Sequence, residues 1–258
     1  MTKTLEATKN TIKEKPWFRA SDTDIQAKLI SLGEECAGFL EDLAKRPDVI
    51  AGVRVLALVE LLIPKRMPIY GIFPVFLVQR EDDLSFVYTY QYFSWRQGPL
   101  AGAKGILLVE GSNSEITHVI VNSGEKFATG KATYDGFGGF AEVGEDSIAS
   151  MIARFREEIR EELGLQEIVI KEIVDLGRLR VDAGMTNNHP KIFAAIIDGT
   201  QAAKIDEGMK PNPDKRELQM GTVIVPIEKL PEFTFENDDA FFLSCIYRFA
   251  VRRGLRKI

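Results

Sequence analysis

The chain has 258 residues, 45% of them hydrophobic, so it is long and apolar enough to bury a full-sized core. Its net charge of -5 argues against broad binding to nucleic acid, because counterion release needs a concentrated basic surface. The two cysteines, Cys36 and Cys245, lie far apart without metal-ligand spacing, so neither a disulfide framework nor a zinc site is indicated. The N-terminus lacks the apolar core of a signal peptide, so a cytoplasmic protein is expected.

The first predicted segment is helical and covers residues 1–67. After a helix cap in the sequence SDTD, apolar residues recur at three- and four-residue spacing. Pro47 then interrupts the pattern, and the apolar run Val49–Ile63 is predicted to be a second, buried helix that is too short and too charged to span a bilayer. The sequence IPKRMP ends this segment.

The second predicted segment, residues 68–258, contains short β-rich runs separated by charged or glycine-containing turns. The predicted strands are Tyr70–Gln79, Phe86–Trp95, Gly105–Glu110, Ile116–Asn122, Ile168–Val174, Lys191–Ile197 and Gly221–Pro226. One helix is predicted over residues 147–163, and Asp238–Arg253 is predicted to form an amphipathic closing helix. This order favours an α/β (α+β) domain, a mixed sheet with helices on both faces.

The helix at 147–163 carries an acidic face. A buried stripe is predicted from apolar residues that recur every three or four positions, namely Ile148, Ile152, Phe155, Ile159 and Leu163. Glu158, Glu161 and Glu162 fall together on a neighbouring face, where three carboxylates repel one another. A hard divalent cation, Mg²⁺ or Mn²⁺, would relieve that repulsion. The ordinary alternative is a solvated helix face with ion pairs to its own arginines.

Glycines and acids flank this helix in a recognisable arrangement. Gly138–Gly139 and Gly144 precede it, and Gly164 follows as a predicted C-cap. The stretch resembles the signature of the Nudix superfamily, G-x5-E-x7-R-E-U-x-E-E-x-G-U, in which U is aliphatic. The matching residues are Gly139, Glu145, Glu158, Ile159, Glu161, Glu162, Gly164 and Leu165.

The signature departs from the family pattern in two places. Eleven residues separate Glu145 from Glu157 where the family has seven, and Glu157 stands where the family has Arg. Four extra residues are close to one helical turn, so one continuous helix would keep the carboxylates in phase. Arg154 or Arg156 would then orient the site in place of the missing arginine.

The resemblance implies a Nudix-like fold and a hydrolase that cleaves a diphosphate linkage with Mg²⁺ or Mn²⁺. Glu158, Glu161 and Glu162 would hold the ion, and the Gly139 carbonyl would be a further ligand. The ion would neutralise developing charge and lower the pKa of the attacking water.

The general base differs among members of the superfamily, and two kinds of candidate stay open. One is a signature glutamate, for which we name Glu161. The other is an acid on a later loop, Glu217 or, as runner-up, Glu207; a solvated loop acid is an equally good interpretation of either.

Two later stretches resemble the ADP-ribose and nucleotide-sugar pyrophosphatase branch, Leu176–Ile197 and Glu217–Arg253. They imply a nucleoside diphosphate derivative as substrate. From the residues themselves, His189 in the polar loop TNNHP is a candidate for substrate contact, and Arg178, Arg180 and Arg54 are candidates for binding phosphate, although lone arginines are usually surface residues. The expected partner is a small-molecule nucleotide, bound by a monomer or a homodimer, with neither nucleic acid nor membrane involved.

The aromatic run Tyr88–Trp95 would suit stacking on a nucleobase, but alternating aromatics on a strand more often serve core and edge packing. Two functions therefore remain: a diphosphohydrolase, or a Nudix-like domain that binds a nucleotide without turnover. The insertion and the lost arginine favour the binder. The three retained glutamates favour the enzyme, because clustered carboxylates are costly without a metal.

Overall fold

The computed structural model describes residues 2–64, 71–126, 130–205, 208–210 and 220–253. The chain forms two compact units. The N-terminal unit comprises Met1–Ala101, Glu142–Gly144 and Arg180–His189, and the C-terminal unit comprises Gly102–Ala141, Glu145–Leu179 and Pro190–Ile258. The predicted division between residues 67 and 68 stays a prediction.

The N-terminal unit begins with short helices and continues as an antiparallel sheet. Its helices are α1 (Thr2–Glu14), α2 (Pro16–Arg19), α3 (Thr23–Ile30) and α4 (Ala37–Lys45), with a 3₁₀ turn at Glu34–Cys36. Its strands are β1 (Val49–Ile50), β2 (Val53–Leu62), β3 (Gly71–Arg80), β4 (Val87–Gln91) and β5 (Ser94–Trp95). The sheet order is β1-β2-β3-β4, with β5 paired to β3. The predicted cap in SDTD is confirmed, since the Asp22 carboxylate accepts a hydrogen bond from the Asp24 amide at 2.8 Å.

The buried helix predicted for Val49–Ile63 is wrong, because this run forms β1 and β2. The alternation that marks a strand is broken in β2 by two irregularities, between Val55 and Ala57 and between Leu58 and Glu60. Without that period, an apolar run is ambiguous between helix and strand, and the pairing with β3 decides the outcome.

The C-terminal unit holds the larger sheet. Its first elements are β6 (Gly102–Glu110), β7 (Ile116–Lys126), β8 (Lys131–Asp135), β9 (Phe137–Phe140), α5 (Ile148–Glu162), β10 (Glu172–Arg178) and β11 (Lys191–Asp198). It continues with α6 (Gly199–Ala202), β12 (Gly208–Lys210), β13 (Met220–Pro226), a 3₁₀ turn at Ile227–Lys229, α7 (Leu230–Glu236) and α8 (Ala240–Arg253). The strand order is β10-β11-β6-β7-β13-β12, with β8 on β7 and β9 on β6. The sheet is mixed, because β11 runs parallel to β6 while its other pairs are antiparallel.

Helices cover both faces of this sheet. Successive residues of a strand face opposite sides, so Ile192 and Ala194 of β11 join the core beneath α8. Phe193, between them, stacks on Phe155 of α5 at a centroid distance of 5.5 Å. The predicted mixed sheet with helices on both faces is therefore confirmed.

Most of the strands and helices predicted after residue 68 are confirmed, with shifted ends. Phe86–Trp95 forms two strands rather than one, and the strand predicted from Ile168 begins only at Glu172. No helix in the part of the chain that the structure describes is both long and apolar enough to cross a membrane.

Candidate functional site

Helix α5 is continuous, as predicted. The Ser147 hydroxyl accepts a hydrogen bond from the Ser150 amide at 3.0 Å, and the Ser150 hydroxyl accepts one from the Ser147 amide, also at 3.0 Å. At the other end Gly164 takes a φ of +65°, which favours glycine, and the Leu165 amide donates to the Arg160 carbonyl. The helix therefore runs from one cap to the other without a break.

The buried stripe of α5 differs from the prediction at one end. Phe155, Ile159 and Leu163 are fully buried, but Ile148 is 54% exposed, Ile152 is half-buried, and Met151 lies in the core instead. The buried residues are spaced by four positions, from Met151 through Phe155 and Ile159 to Leu163. Ile148 does not fall on this repeat.

The Glu158 carboxylate lies against the backbone of Gly139 in β9. A Cβ at Gly139 would come within 1.9 Å of Glu158 Oε1, so a larger residue there would displace the carboxylate from this position. Glycine at this position therefore makes room for the carboxylate, which is 18% exposed. The strand and the last turns of the helix thus form a cradle for one acidic group.

Glu162 is held beside Glu158 by groups from the sheet. Its Oε2 accepts hydrogen bonds from Asn122 Nδ2 of β7 at 2.9 Å and from the Gly138 amide at 3.3 Å. The pKa of Glu162 is raised to about 8, mainly by burial and also by the carboxylates of Glu158 and Asp135, against the opposing charge of Lys104. A carboxyl group in this setting gains its charge more easily when a cation is present.

Lys104 and Asp135 complete the surroundings of Glu162. Lys104, on β6, donates from Nζ to the Gly138 carbonyl at 3.1 Å, and Asp135 lies at the end of β8, paired in register with Asn122. Asn122 is 1% exposed, and its Oδ1 has no hydrogen-bond partner within the described residues. A buried acceptor without a partner is costly, so this oxygen suits a ligand.

Arg154 links the acids at the two ends of the helix. Its guanidinium binds Glu145 through two hydrogen bonds of 2.8 and 3.2 Å, contacts Glu157 at 3.2 Å and lies 3.8 Å from Glu158 Oε1. Of the two arginines considered for the orienting role, Arg154 makes these contacts and Arg156 is exposed. The hydrogen bonds to Glu145 raise the pKa of Arg154 above its ordinary value, so its guanidinium stays charged.

The third signature glutamate, Glu161, is exposed. Among the described residues no group of three or more histidine, cysteine, aspartate or glutamate side chains is arranged to hold a metal. The Gly139 carbonyl, predicted as a further ligand, lies beside Gly102 of β6, where a Cβ would come within 2.2 Å of it. The structure thus brings together Glu158 and Glu162 and leaves Glu161 in solvent.

The other candidate residues are Arg178, His189, Glu217 and Glu207. Arg178 is an exposed residue at the end of β10, and its carbonyl accepts a hydrogen bond from Arg248. His189 belongs to the N-terminal unit, where its amide donates to the Pro99 carbonyl at 2.7 Å. Glu217 and Glu207 lie outside the described residues.

The sequence reasoning did not single out Lys104, Asn122 and Asp135. A signal for two of them exists, since Lys104 and Asn122 interrupt the apolar runs of two strands, and a polar residue buried in a strand usually has a specific partner. That the partner is Glu162 depends on strand register, which the chain alone does not reveal.

No protein-family model and no curated sequence matches this chain. A solved structure, described as the crystal structure of an ADP compounds hydrolase, is similar to it with a TM-score of 0.51 and 13% sequence identity. The match covers 78% of this chain and 96% of that chain. At this identity the likeness concerns the fold alone. The chain has a Nudix-like fold, a mixed sheet flanked by helices, with helices at the N-terminus.

Proposed function

We propose that the protein is a metal-dependent hydrolase that cleaves the diphosphate linkage of a nucleoside diphosphate derivative, of the ADP-ribose or nucleotide-sugar type. The observation that carries the proposal is the pair of carboxylates, Glu158 and Glu162, seated against the glycines of β9. The Nudix-like fold and the signature residues around Glu158 support it.

The donor set fits a hard divalent cation. Glu158 and Glu162 offer carboxylate oxygens, and Asn122 Oδ1 is a buried oxygen beside them. Oxygen ligands of this kind suit Mg²⁺ and Mn²⁺. Glu161 would join them from the exposed side of the helix.

Charge supports the same conclusion. Within reach of Arg154 and Lys104 lie five carboxylates, those of Asp135, Glu145, Glu157, Glu158 and Glu162. Counted over the described residues, the two basic groups leave these five carboxylates with a net negative charge, so a cation would stabilise the cluster. A bound Mg²⁺ or Mn²⁺ would neutralise the negative charge of the diphosphate and make water a better nucleophile.

The side chains around the carboxylates have positioning roles in this proposal. The Asn122 amide and the Gly138 N–H hold Glu162 in one orientation, and Arg154 approaches Glu158 from the helix. Lys104 would add positive charge near the substrate phosphates. Glu161 is exposed and able to accept a proton from water, and Glu217 remains the alternative base.

The substrate class is proposed from the resemblance to the ADP-ribose and nucleotide-sugar branch. The name of the structurally similar protein, an ADP compounds hydrolase, is in line with it. Arg178 and His189 remain the proposed substrate-binding residues, and a small-molecule nucleotide remains the proposed partner.

The test is a panel of nucleoside diphosphate derivatives, including ADP-ribose and several nucleotide sugars, incubated with the purified chain and Mg²⁺ or Mn²⁺. Nucleoside triphosphates and inorganic pyrophosphate serve as comparison substrates. We expect a nucleoside monophosphate and a phosphorylated remainder from at least one diphosphate derivative. If no member yields these products with either metal, the enzyme proposal fails.

One observation favours the alternative, a domain that binds such a nucleotide without hydrolysing it. Lys104 already places an ammonium group near Glu162, which partly replaces a cation, while Glu161 stays in solvent. Calorimetric titration of the same ligands separates the two functions, since the binder would take up a ligand and release no product.

A further inference from the structure

The N-terminal unit contains a cavity of about 280 Å³ between β2, β3, β4 and the start of the chain. We propose that it is a binding site for a small, uncharged, planar aromatic molecule. This inference does not rest on the proposed hydrolase activity, because the lining residues that the structure describes all belong to the N-terminal unit.

The floor of the cavity is rigid and apolar. Trp17, Phe76 and Val78 line it and are only 2%, 4% and 4% exposed. The Trp17 and Phe76 rings meet edge to face at a centroid distance of 5.6 Å, one of the preferred arrangements for an aromatic pair. Such a floor presents ring surface to a ligand and holds its shape without one.

The mouth of the cavity leaves apolar surface in water. Ile50 and Tyr90 line it while remaining 39% and 41% exposed, and the lining residues Val53 and Tyr88 are half-buried. The Tyr90 hydroxyl donates to the Gly184 carbonyl at 3.0 Å, which fixes its ring. A ligand that covers these side chains would bury apolar surface that the empty cavity exposes.

The charge of the cavity selects a neutral ligand. Of its lining residues in the described part of the chain, Arg46 alone is charged. Its guanidinium is paired with the Asp42 carboxylate at 2.9 Å and lies over the Tyr92 ring, 4.4 Å from the centroid. An anionic ligand would lose hydration without gaining an unpaired cation, so an uncharged ring system is preferred.

The volume sets the size of the ligand. A cavity of about 150 Å³ with a comparable apolar lining accommodates benzene. A cavity of 280 Å³ therefore has room for about two fused rings. A nucleoside diphosphate derivative is larger and carries negative charge, so it is the wrong ligand for this cavity.

The test uses prodan, a neutral naphthalene dye whose emission moves to shorter wavelength in an apolar site. We expect saturable binding of one dye per chain, with a Kd on the order of 100 µM or tighter. Naphthalene methanol should displace the dye at least about tenfold more effectively than naphthalene sulfonate. Absence of saturable binding overturns the proposal, as does displacement by the sulfonate or by ADP-ribose at equal effectiveness.

Two pairs of variants locate the dye. Val53→Trp fills the cavity and should weaken prodan binding at least about tenfold, whereas Val59→Trp, on the same strand but away from the cavity, should not. If Val53→Trp does not fold, Ile50→Asp places a charge at the exposed mouth, with Val49→Asp as its matched neighbour outside the lining. Equal binding by both members of the pair that folds would overturn the assignment.

Discussion

The acidic end of α5 and the cavity of the N-terminal unit differ in the balance between their acidic and basic side chains. Among the described residues around Glu158 and Glu162 the carboxylates outnumber the basic groups, and burial raises the pKa of Glu162 to about 8. In the cavity the one charged lining side chain among the described residues, Arg46, is already neutralised by Asp42. A site with an excess of carboxylates would be stabilised by a bound cation, whereas a site whose charges are already paired favours a neutral ligand.

The local sequences of the two sites are alike, although the sites favour different ligands. Each contains an arginine three or four positions from an acid, Arg46 with Asp42 in one and Arg154 with Glu157 and Glu158 in the other. What differs is the partner: Arg46 has one carboxylate at 2.9 Å, whereas Arg154 is shared among Glu145, Glu157 and Glu158. The number of carboxylates around each arginine, and not the types of residue nearby in the sequence, indicates which kind of ligand each site favours.

Removal of divalent metal gives the largest expected effect. Hydrolysis of the preferred diphosphate derivative should fall to background in excess chelator and return when Mg²⁺ or Mn²⁺ is restored. Without the cation, the negative diphosphate would face negative carboxylates and the attacking water would not be activated. Product formation is measured before and after the addition. Turnover that is undiminished in chelator would contradict the metal mechanism, and prodan binding should be the same in both conditions.

Glu162→Gln is expected to have the next largest effect. The variant keeps the size of the side chain and removes a charge from the site, so kcat should fall at least about a hundredfold with little loss of folding stability. Glu157→Gln is the control, since that side chain is 43% exposed and contacts Arg154 rather than the glycines of β9. If both variants keep full activity, the acidic face is only a solvated helix surface.

Local periodicity accounts for what the sequence predicted correctly. Helix α5, its C-cap at Gly164 and the buried residues Phe155 and Ile159 follow from a 3.6-residue repeat and from the glycine after it. The partnership of Glu162 with Asn122 and Lys104 depends on how β6, β7 and β9 align, and register is a long-range property. The signature thus indicated the helix but not the strands that hold its last carboxylate.

The cavity shows the same limit in the N-terminal unit. The run Tyr88–Trp95 was weighed between nucleobase stacking and packing, and the structure divides it, with Tyr92 and Trp95 buried and Tyr88 and Tyr90 lining the cavity. Val53 and Val55, which also line the cavity, come from β2, which the sequence predicted as a helix. Because β2 was predicted as a helix, its pairing with β3 could not be predicted, and the cavity that these strands line could not be predicted either.

Asn122→Ala tests whether the sheet positions Glu162. Loss of one hydrogen bond to a carboxylate costs about 1.5 kcal/mol, so kcat should fall about tenfold and more Mg²⁺ should be needed for half-maximal activity. His118→Ala, on the same strand, removes a side chain whose Nδ1 lies 3.0 Å from the Thr117 hydroxyl and should change neither quantity. A metal requirement that is unchanged in Asn122→Ala would reduce Asn122 to a purely structural residue.

Asp42→Asn should turn the balanced cavity into an unbalanced one, with the smallest of the expected effects. The substitution removes the carboxylate paired with Arg46 and leaves a guanidinium that is 23% exposed, so the affinity for naphthalene sulfonate should rise about fivefold at low salt. The affinity for naphthalene methanol should stay the same, because a neutral ring gains nothing from the freed charge.

Glu41→Gln supplies the control for Asp42→Asn, since Glu41 lies on the same helix and pairs with the exposed Lys45 at 2.7 Å instead. Both affinities are measured by displacement of prodan, with the salt dependence of the sulfonate as a second readout. Salt should weaken sulfonate binding to Asp42→Asn and have less effect on the Glu41→Gln protein. If the sulfonate gains no affinity when Asp42 is neutralised, the pairing of Arg46 is not what selects a neutral ligand, and the contrast between the two sites does not arise from charge balance.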